Sequence, residues 1–154
     1  MRAVYIDTEF TQLNMTRQLI SLALVDTSDF EFYVEITDTW LENECSDFVK
    51  KVVLPQLNLD KFGQSTSQAC IELKAFLATL GPVEIISDAL AWDWPLFLEL
   101  LGPEGLPGNI IGCREINPEA LELTAEMEHL LVDAPHHALL DARLLCAISE
   151  AAQA

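Results

Sequence analysis

The pattern of apolar and polar positions divides the chain into short segments with distinct periods. Residues 3–8 (AVYIDT) form an apolar run that predicts a central strand with both faces covered. Residues 19–26 (LISLALVD) and 31–36 (EFYVEI) predict two further strands. Thr27-Ser28-Asp29 supplies the turn between them, so they pair as a hairpin. From about Cys45 to Leu54 the spacing turns helical, with Phe48, Val52 and Val53 on one side, until Pro55 stops it. A longer helix over 66–80 carries an apolar stripe of Ala69, Leu73, Phe76, Leu77 and Leu80 and ends at Gly81-Pro82.

VEIIS (83–87) predicts the next strand, and a helix opens near Pro95, since proline suits a first helical turn. Residues 102–109 read as a loop and 109–113 as a last, edge strand. A helix opens near Asn117-Pro118, and the final helix covers 138–152 after the Asp133-Ala134-Pro135 loop. No repeat, low-complexity tract or linker interrupts this order, so residues 1–154 read as a single domain. The expected class is α/β: a mixed five-stranded sheet, its first three strands antiparallel, flanked by helices.

Composition supports a packed core, with 51% hydrophobic and 21% charged residues. Cys45, Cys70, Cys113 and Cys146 are scattered without a CxxC pair or zinc spacing, which predicts reduced thiols. No apolar run approaches the ~20 residues that cross a bilayer. The opening MRAVYIDTEF turns acidic after six positions and lacks the apolar centre of a signal peptide, so a cytoplasmic protein is expected. Charge changes the picture more. Eight Lys and Arg oppose 25 Asp and Glu, for a formal charge of −17, and Lys50-Lys51 is the one basic cluster. Taken alone, that balance argues against gripping long nucleic acid by its phosphates.

Chemistry-bearing residues gather at three places. Asp7 and Glu9 end the first strand two residues apart, so both carboxylates leave the same face. Solvated surface acids would read the same way, but a buried pair requires a cation or a proton. Asp93, in SDALAWDWPLF (87–97), lies between two tryptophans; it is either the N-cap of the helix that follows or a functional group, and Asp88 is a second candidate there. In PHHALLDARLL (135–145), Leu144, Leu145 and Ile148 continue the stripe on which Asp141 sits, which turns its carboxylate inward. His137 shares the helical face of Asp141; His136, five residues before it, can act with Asp141 only from the preceding loop. Pro135 holds Ala134 extended and favours that loop.

Together, a strand-end D-x-E, a central Asp opening a helix and an H-x4-D at a last helix resemble the DEDD family of 3′–5′ exonucleases, in the family's order along nearly the whole chain. This is the group of oligoribonuclease, ribonuclease T and the proofreading exonucleases. The spacing from His136 to Asp141 resembles its DEDDh branch. DTEF, ISLALV, VLPQL and Trp94 after Asp93 look like a compact bacterial and phage subgroup of exoribonucleases. The acidic surface departs from the wider family.

The resemblance implies a ribonuclease H-like fold and hydrolysis from the 3′ end of RNA or single-stranded DNA, releasing nucleoside 5′-monophosphates. It implies that Asp7, Glu9, Asp93 and Asp141 hold two Mg²⁺ or Mn²⁺ ions, hard cations that prefer carboxylate oxygen. His136 would be the general base. Thr8, Glu9 and Phe10 would contact the terminal nucleotide, Phe10 by stacking unless it is plain core. A homodimer is compatible with the family. Cations at the site would hold the scissile phosphate against the chain's own charge, which favours short oligonucleotides or accessible 3′ overhangs. A ribonuclease H-like interaction module without activity is the rival reading, though it has no need of five polar residues on one cleft. A calcium-binding protein would need a D-x-D-x-D-G loop that the sequence lacks.

Overall fold

Residues 1–153 are described by a computed structural model. The first strand, β1 (Arg2–Phe10), lies near the middle of the sheet. It pairs antiparallel with β2 (Leu19–Asp26), which pairs antiparallel with β3 (Glu31–Ile36). On its other side β1 runs parallel to β5 (Val83–Ser87), and β5 runs parallel to β6 (Ile110–Glu115) at the edge. A two-residue strand, β4 (Gly63–Gln64), adds to the far edge of β3, giving the order β4-β3-β2-β1-β5-β6. The sheet therefore has six strands, one more than the sequence predicts. β4 is too short to show a period, and it forms where the one-turn helix α1 (Leu59–Phe62) brings Gly63 against the Leu59 carbonyl, where a Cβ would collide.

Alternation along β1 separates two cores. Val4 and Ile6 face helices α2 (Thr66–Ala78) and α3 (Leu90–Leu101), in a cluster with Leu22, Leu24, Leu73, Leu77 and Phe97. Tyr5 faces the other side, with Ala23, Val25, Ile86 and residues Ala138, Ala142 and Leu145 of α5 (Ala138–Gln153). Every residue of β2 is buried, as covering both faces demands.

Three predicted elements differ. The segment after Cys45 is a π-helix over Val49–Val53 followed by a 3-10 turn over Leu54–Gln56. Its wider i→i+5 turn buries Val49 and Val53 and turns Phe48 outward, 51% exposed. Pro95 does not open α3, which starts five residues earlier at Leu90 and carries the proline inside. Asn117-Pro118 opens only a 3-10 turn, Pro118–Ala120, and the helix that follows is α4 (Ala125–Val132).

The interior should dominate stability. Leu22 is fully buried at the centre, and Leu22→Ala is expected to cost ~2–5 kcal/mol, as for other buried leucines. Arg143 pairs with Glu31 at the surface, and Arg143→Ala should cost under about 1 kcal/mol. Urea unfolding of both variants checks the ranking, and equal losses would contradict it.

Candidate active site

Since Tyr5 faces α5, the period of a strand sends Asp7 and Glu9 to the same side. There they meet Asp141 in the first turn of α5, with carboxylate oxygens of the three within 4.8 Å of one another. Asp7, two residues past the last paired position between β1 and β5, also meets Asp88 and Asp93. Carboxylate oxygens of that second trio lie within 4.8 Å of one another as well. Two groups of three carboxylates thus share Asp7.

Asp93 is not an N-cap. Ala89 holds that position, and Asp93 lies one turn inside α3, 1% exposed. Its Oδ1 accepts from the Thr8 hydroxyl and its Oδ2 from the Ser87 hydroxyl, both at 2.6 Å. Thr8 faces α3 because it alternates with Asp7, and Ser87 ends β5 beside it. Ser87 also accepts the Ala89 N–H at 2.9 Å, fixing the turn into α3. Ser87 had no distinguishing mark in the sequence beyond its place at a strand end.

Burial and mutual repulsion push protons onto these acids. Burial, then Asp93, Glu9, Asp141 and Asp88, hold the Asp7 carboxyl well above the usual range. Burial, then Asp141 and Asp93, push Glu9 up to about 8. Burial raises Asp93 to about 7, although the Ser87 and Thr8 hydroxyls oppose it. Burial and Asp88 raise Asp141 to about 6, against the backbone N–H groups of His137 and His136. Asp88 is raised by its surroundings too, and Glu115 adds to the effect.

A cavity of about 370 Å³ opens over the carboxylates. Asp7, Glu9, Asp88 and Asp141 contribute to its floor, Phe10, Leu13, Phe48 and Leu131 to its apolar walls, and no lining residue is Lys or Arg. The Phe10 ring stacks on Trp92 with centroids 5.5 Å apart. His136 also lines the cavity, from the stretch 134–137 ahead of α5 and with a φ of 55°. Its ring meets the edge of Phe48, centroids 5.0 Å apart. His137 turns away and stacks on Tyr33, with Nδ1 buried and without a hydrogen-bond partner, and burial lowers its pKa.

The donor set fits divalent cations. Asp7 Oδ2 and Asp141 Oδ1 are buried and accept no hydrogen bond, an arrangement that costs free energy unless a cation completes it. All five side chains offer hard oxygen, suited to Mg²⁺ or Mn²⁺.

No family model and no curated protein sequence matches this chain. Its fold, however, is that of several solved nucleases. It is similar to cell-death related nuclease 4 (CRN-4), with a TM-score of 0.59 and 14% identity over 97% of this chain and 62% of that one. It is similar to E. coli ExoI in a zinc-bound complex with single-stranded DNA, with a TM-score of 0.62 and 11% identity over 97% of this chain and 39% of that one. E. coli Exonuclease I with a 5cy-dA13 oligonucleotide gives a TM-score of 0.55 and 9% identity over 98% and 39%. The chain thus spans less than two thirds of each neighbour. The mixed α/β sheet flanked by helices, the expected ribonuclease H-like arrangement, is the fold these nucleases share.

The raised carboxyls predict the pH dependence of stability. With no cation bound, the folded chain retains protons that the unfolded chain, with ordinary carboxyls near ~4, has already released. Stability should therefore fall as pH rises from about 4 through the values of about 6, 7 and 8 at Asp141, Asp93 and Glu9. Thermal unfolding in a chelator should show midpoints dropping from pH 5 to 8.5, and Mn²⁺ should remove most of that slope. Asp7→Asn should raise the chelated midpoint at pH 8; a clear fall there would make Asp7 structural.

Proposed function

We propose that this chain is a divalent-metal-dependent 3′–5′ exonuclease of the DEDDh type, acting as a single domain over residues 1–154. Its proposed substrates are RNA or single-stranded DNA, as short oligonucleotides or accessible 3′ overhangs. The observation that carries the reading is the pair of carboxylate trios sharing Asp7 beneath a cavity that His136 also lines. The similar fold of a nuclease, CRN-4, and of E. coli ExoI bound to single-stranded DNA agrees with it.

Asp7, Glu9, Asp93 and Asp141 would hold two Mg²⁺ or Mn²⁺ ions, and Asp88 would join Asp7 and Asp93 as a fifth carboxylate. When bound, such a pair would supply Lewis acidity at the scissile phosphate and charge stabilisation for the attacking and leaving oxygens. The Thr8 and Ser87 hydroxyls would orient Asp93. His136 would take a proton from water as its oxygen attacks phosphorus and the bond to the 3′ oxygen of the preceding nucleotide breaks. That oxygen is protonated from solvent, leaving a chain one nucleotide shorter and a nucleoside 5′-monophosphate.

The backbone around Thr8–Phe10 would contact the terminal nucleotide, and Phe10, stacked on Trp92, would wedge against its base. A volume of about 370 Å³ suits one nucleotide, at the small end of ligand sites of ~300–1,000 Å³. The acidic surface and the absence of basic lining residues would leave longer strands little to hold.

Purified protein with Mn²⁺, given 3′-labelled and 5′-labelled RNA and DNA of several lengths, tests this directly. Stepwise shortening from the 3′ end is expected, best on the shortest substrates, and absent in Asp7→Asn. His136→Ala should lower the rate by ~10²–10⁴-fold with metal binding retained, while His137→Ala loses much less. No shortening of any substrate would favour an interaction module, and the reverse order of the two histidines would make His137 the base.

Asp88 has its own expectation. Asp88→Asn should raise the Mn²⁺ concentration for half-maximal rate about 10-fold or more, since an ion there loses one of three charged ligands. Direct Mn²⁺ titration by calorimetry should show the same weakening. Unchanged affinity would leave Asp88 as a bystander beside the cations.

A further inference from the structure

His136 stands on a stretch held only at points: the Ala134 N–H donates to the Leu131 carbonyl, the His136 and His137 N–H groups face the Asp141 carboxylate, and the His137 ring stacks on Tyr33. Residues 134–137 contain no regular structure, and Pro135 has no N–H. His136 itself has a φ of 55°, in the left-handed region that a side chain other than glycine's rarely occupies. Something outside the loop must keep this conformation.

The structure provides it in Gln56, at the end of the 3-10 turn over Leu54–Gln56. Gln56 Nε2 donates to the Pro135 carbonyl at 2.7 Å and to the Val52 carbonyl at 2.8 Å, with the His136 carbonyl next, at 3.5 Å. All three partners are acceptors, so the amide can face them only with its nitrogen. Two residues on, the Asn58 N–H donates at 2.7 Å to Oε1 of Glu35, a fully buried residue of β3. The same segment begins at Phe48, whose ring touches His136 and forms part of the cavity wall.

We propose that Gln56 is a positioning residue that ties the His136 loop to the 48–58 segment, so that the cavity wall at Phe48 and the ring of His136 are held as one body. The role rests on the reading of His136 as the general base. Gln56 reaches neither the cavity nor the carboxylates, and its effect passes through the loop alone. A terminal nucleotide pressed against Phe48 would then meet an imidazole already set at a fixed height above the acids. A hydrolytic step is sensitive to such placement, because a misplacement of ~1 Å can cost about 10²-fold in rate.

Gln56→Met keeps the length and removes the donor; Gln56→Lys removes the amide and restores a donor. In Gln56→Met the backbone amides of 136 and 137 should gain fast motion in ¹⁵N relaxation, measured on substrate-free protein. Its kcat should fall about 10- to 100-fold with KM and Mn²⁺ affinity within about twofold of the parent. Gln56→Lys should recover most of both losses. In a His136→Ala background, Gln56→Met should cost no further rate. An equal loss in that background, or a loop as ordered in Gln56→Met as in the parent, overturns the proposal. Should Gln56→Met fail to fold, Gln56→Asn, whose donor falls short of Pro135, takes its place in every comparison. If the parent itself shortens no oligonucleotide, the exonuclease reading fails, while the relaxation data still decide whether Gln56 holds the loop.

Discussion

Repulsion among carboxylates is the constraint on which the rest of this molecule depends. Two unit charges ~5 Å apart repel by roughly 3–4 kcal/mol at an effective dielectric of ~20, and desolvation adds to that for buried groups. Five such groups converge here, with Asp7 common to both trios. The fold tolerates them by keeping protons on several. β1 is held by β2 along Val4–Phe10, with Asp7 opposite Ala23, and by β5 along Arg2–Tyr5, which fixes the strand that carries Asp7. Hydroxyl donors from Thr8 and Ser87 offset part of the cost at Asp93, the most deeply buried of the five.

The division of labour between the two faces of β1 follows from strand geometry. Odd positions carry Tyr5, Asp7 and Glu9 towards α5; even positions carry Val4, Ile6 and Thr8 towards α3. One strand thereby delivers two carboxylates to one helix and a hydroxyl to the acid of the other. A register slip by one residue would exchange the two sets and remove the site altogether. The wholly buried β2, paired along most of β1, makes such a slip costly.

Most of this was legible in the sequence because it lies where period and position coincide. β2, β3 and β5 have the predicted bounds, and Asp7, Glu9, Asp141 and His136 fall at the predicted end of a strand, start of a helix and preceding loop. What was not legible depends on contacts distant in the chain. Nothing near Ser87 marks it as a partner of Asp93, nor does anything near Asp93 indicate that its oxygens face Thr8, 85 residues away, instead of its own helix. Pro95 suits a first helical turn and so points to a later start for α3, whereas burial of Leu96 and Phe97 sustains the helix around it from Leu90. β4 is two residues long and escapes any periodic test.

The π-helix over Val49–Val53 can also be regarded as a matter of ancestry. A single π-turn is an α-helix that has accommodated one extra residue, and the extra residue rotates everything beyond it by about 100° relative to what precedes it. That rotation is what lets one short segment bury Val49 and Val53 and still offer Phe48 to the cavity and Gln56 to the loop. Removing that one residue would turn Phe48 and Gln56 by about 100° relative to each other and break their shared contact with the His136 loop. Length in this segment, more than the identity of any residue in it, would then separate chains that share the wall and the loop tie from those that share only the carboxylates.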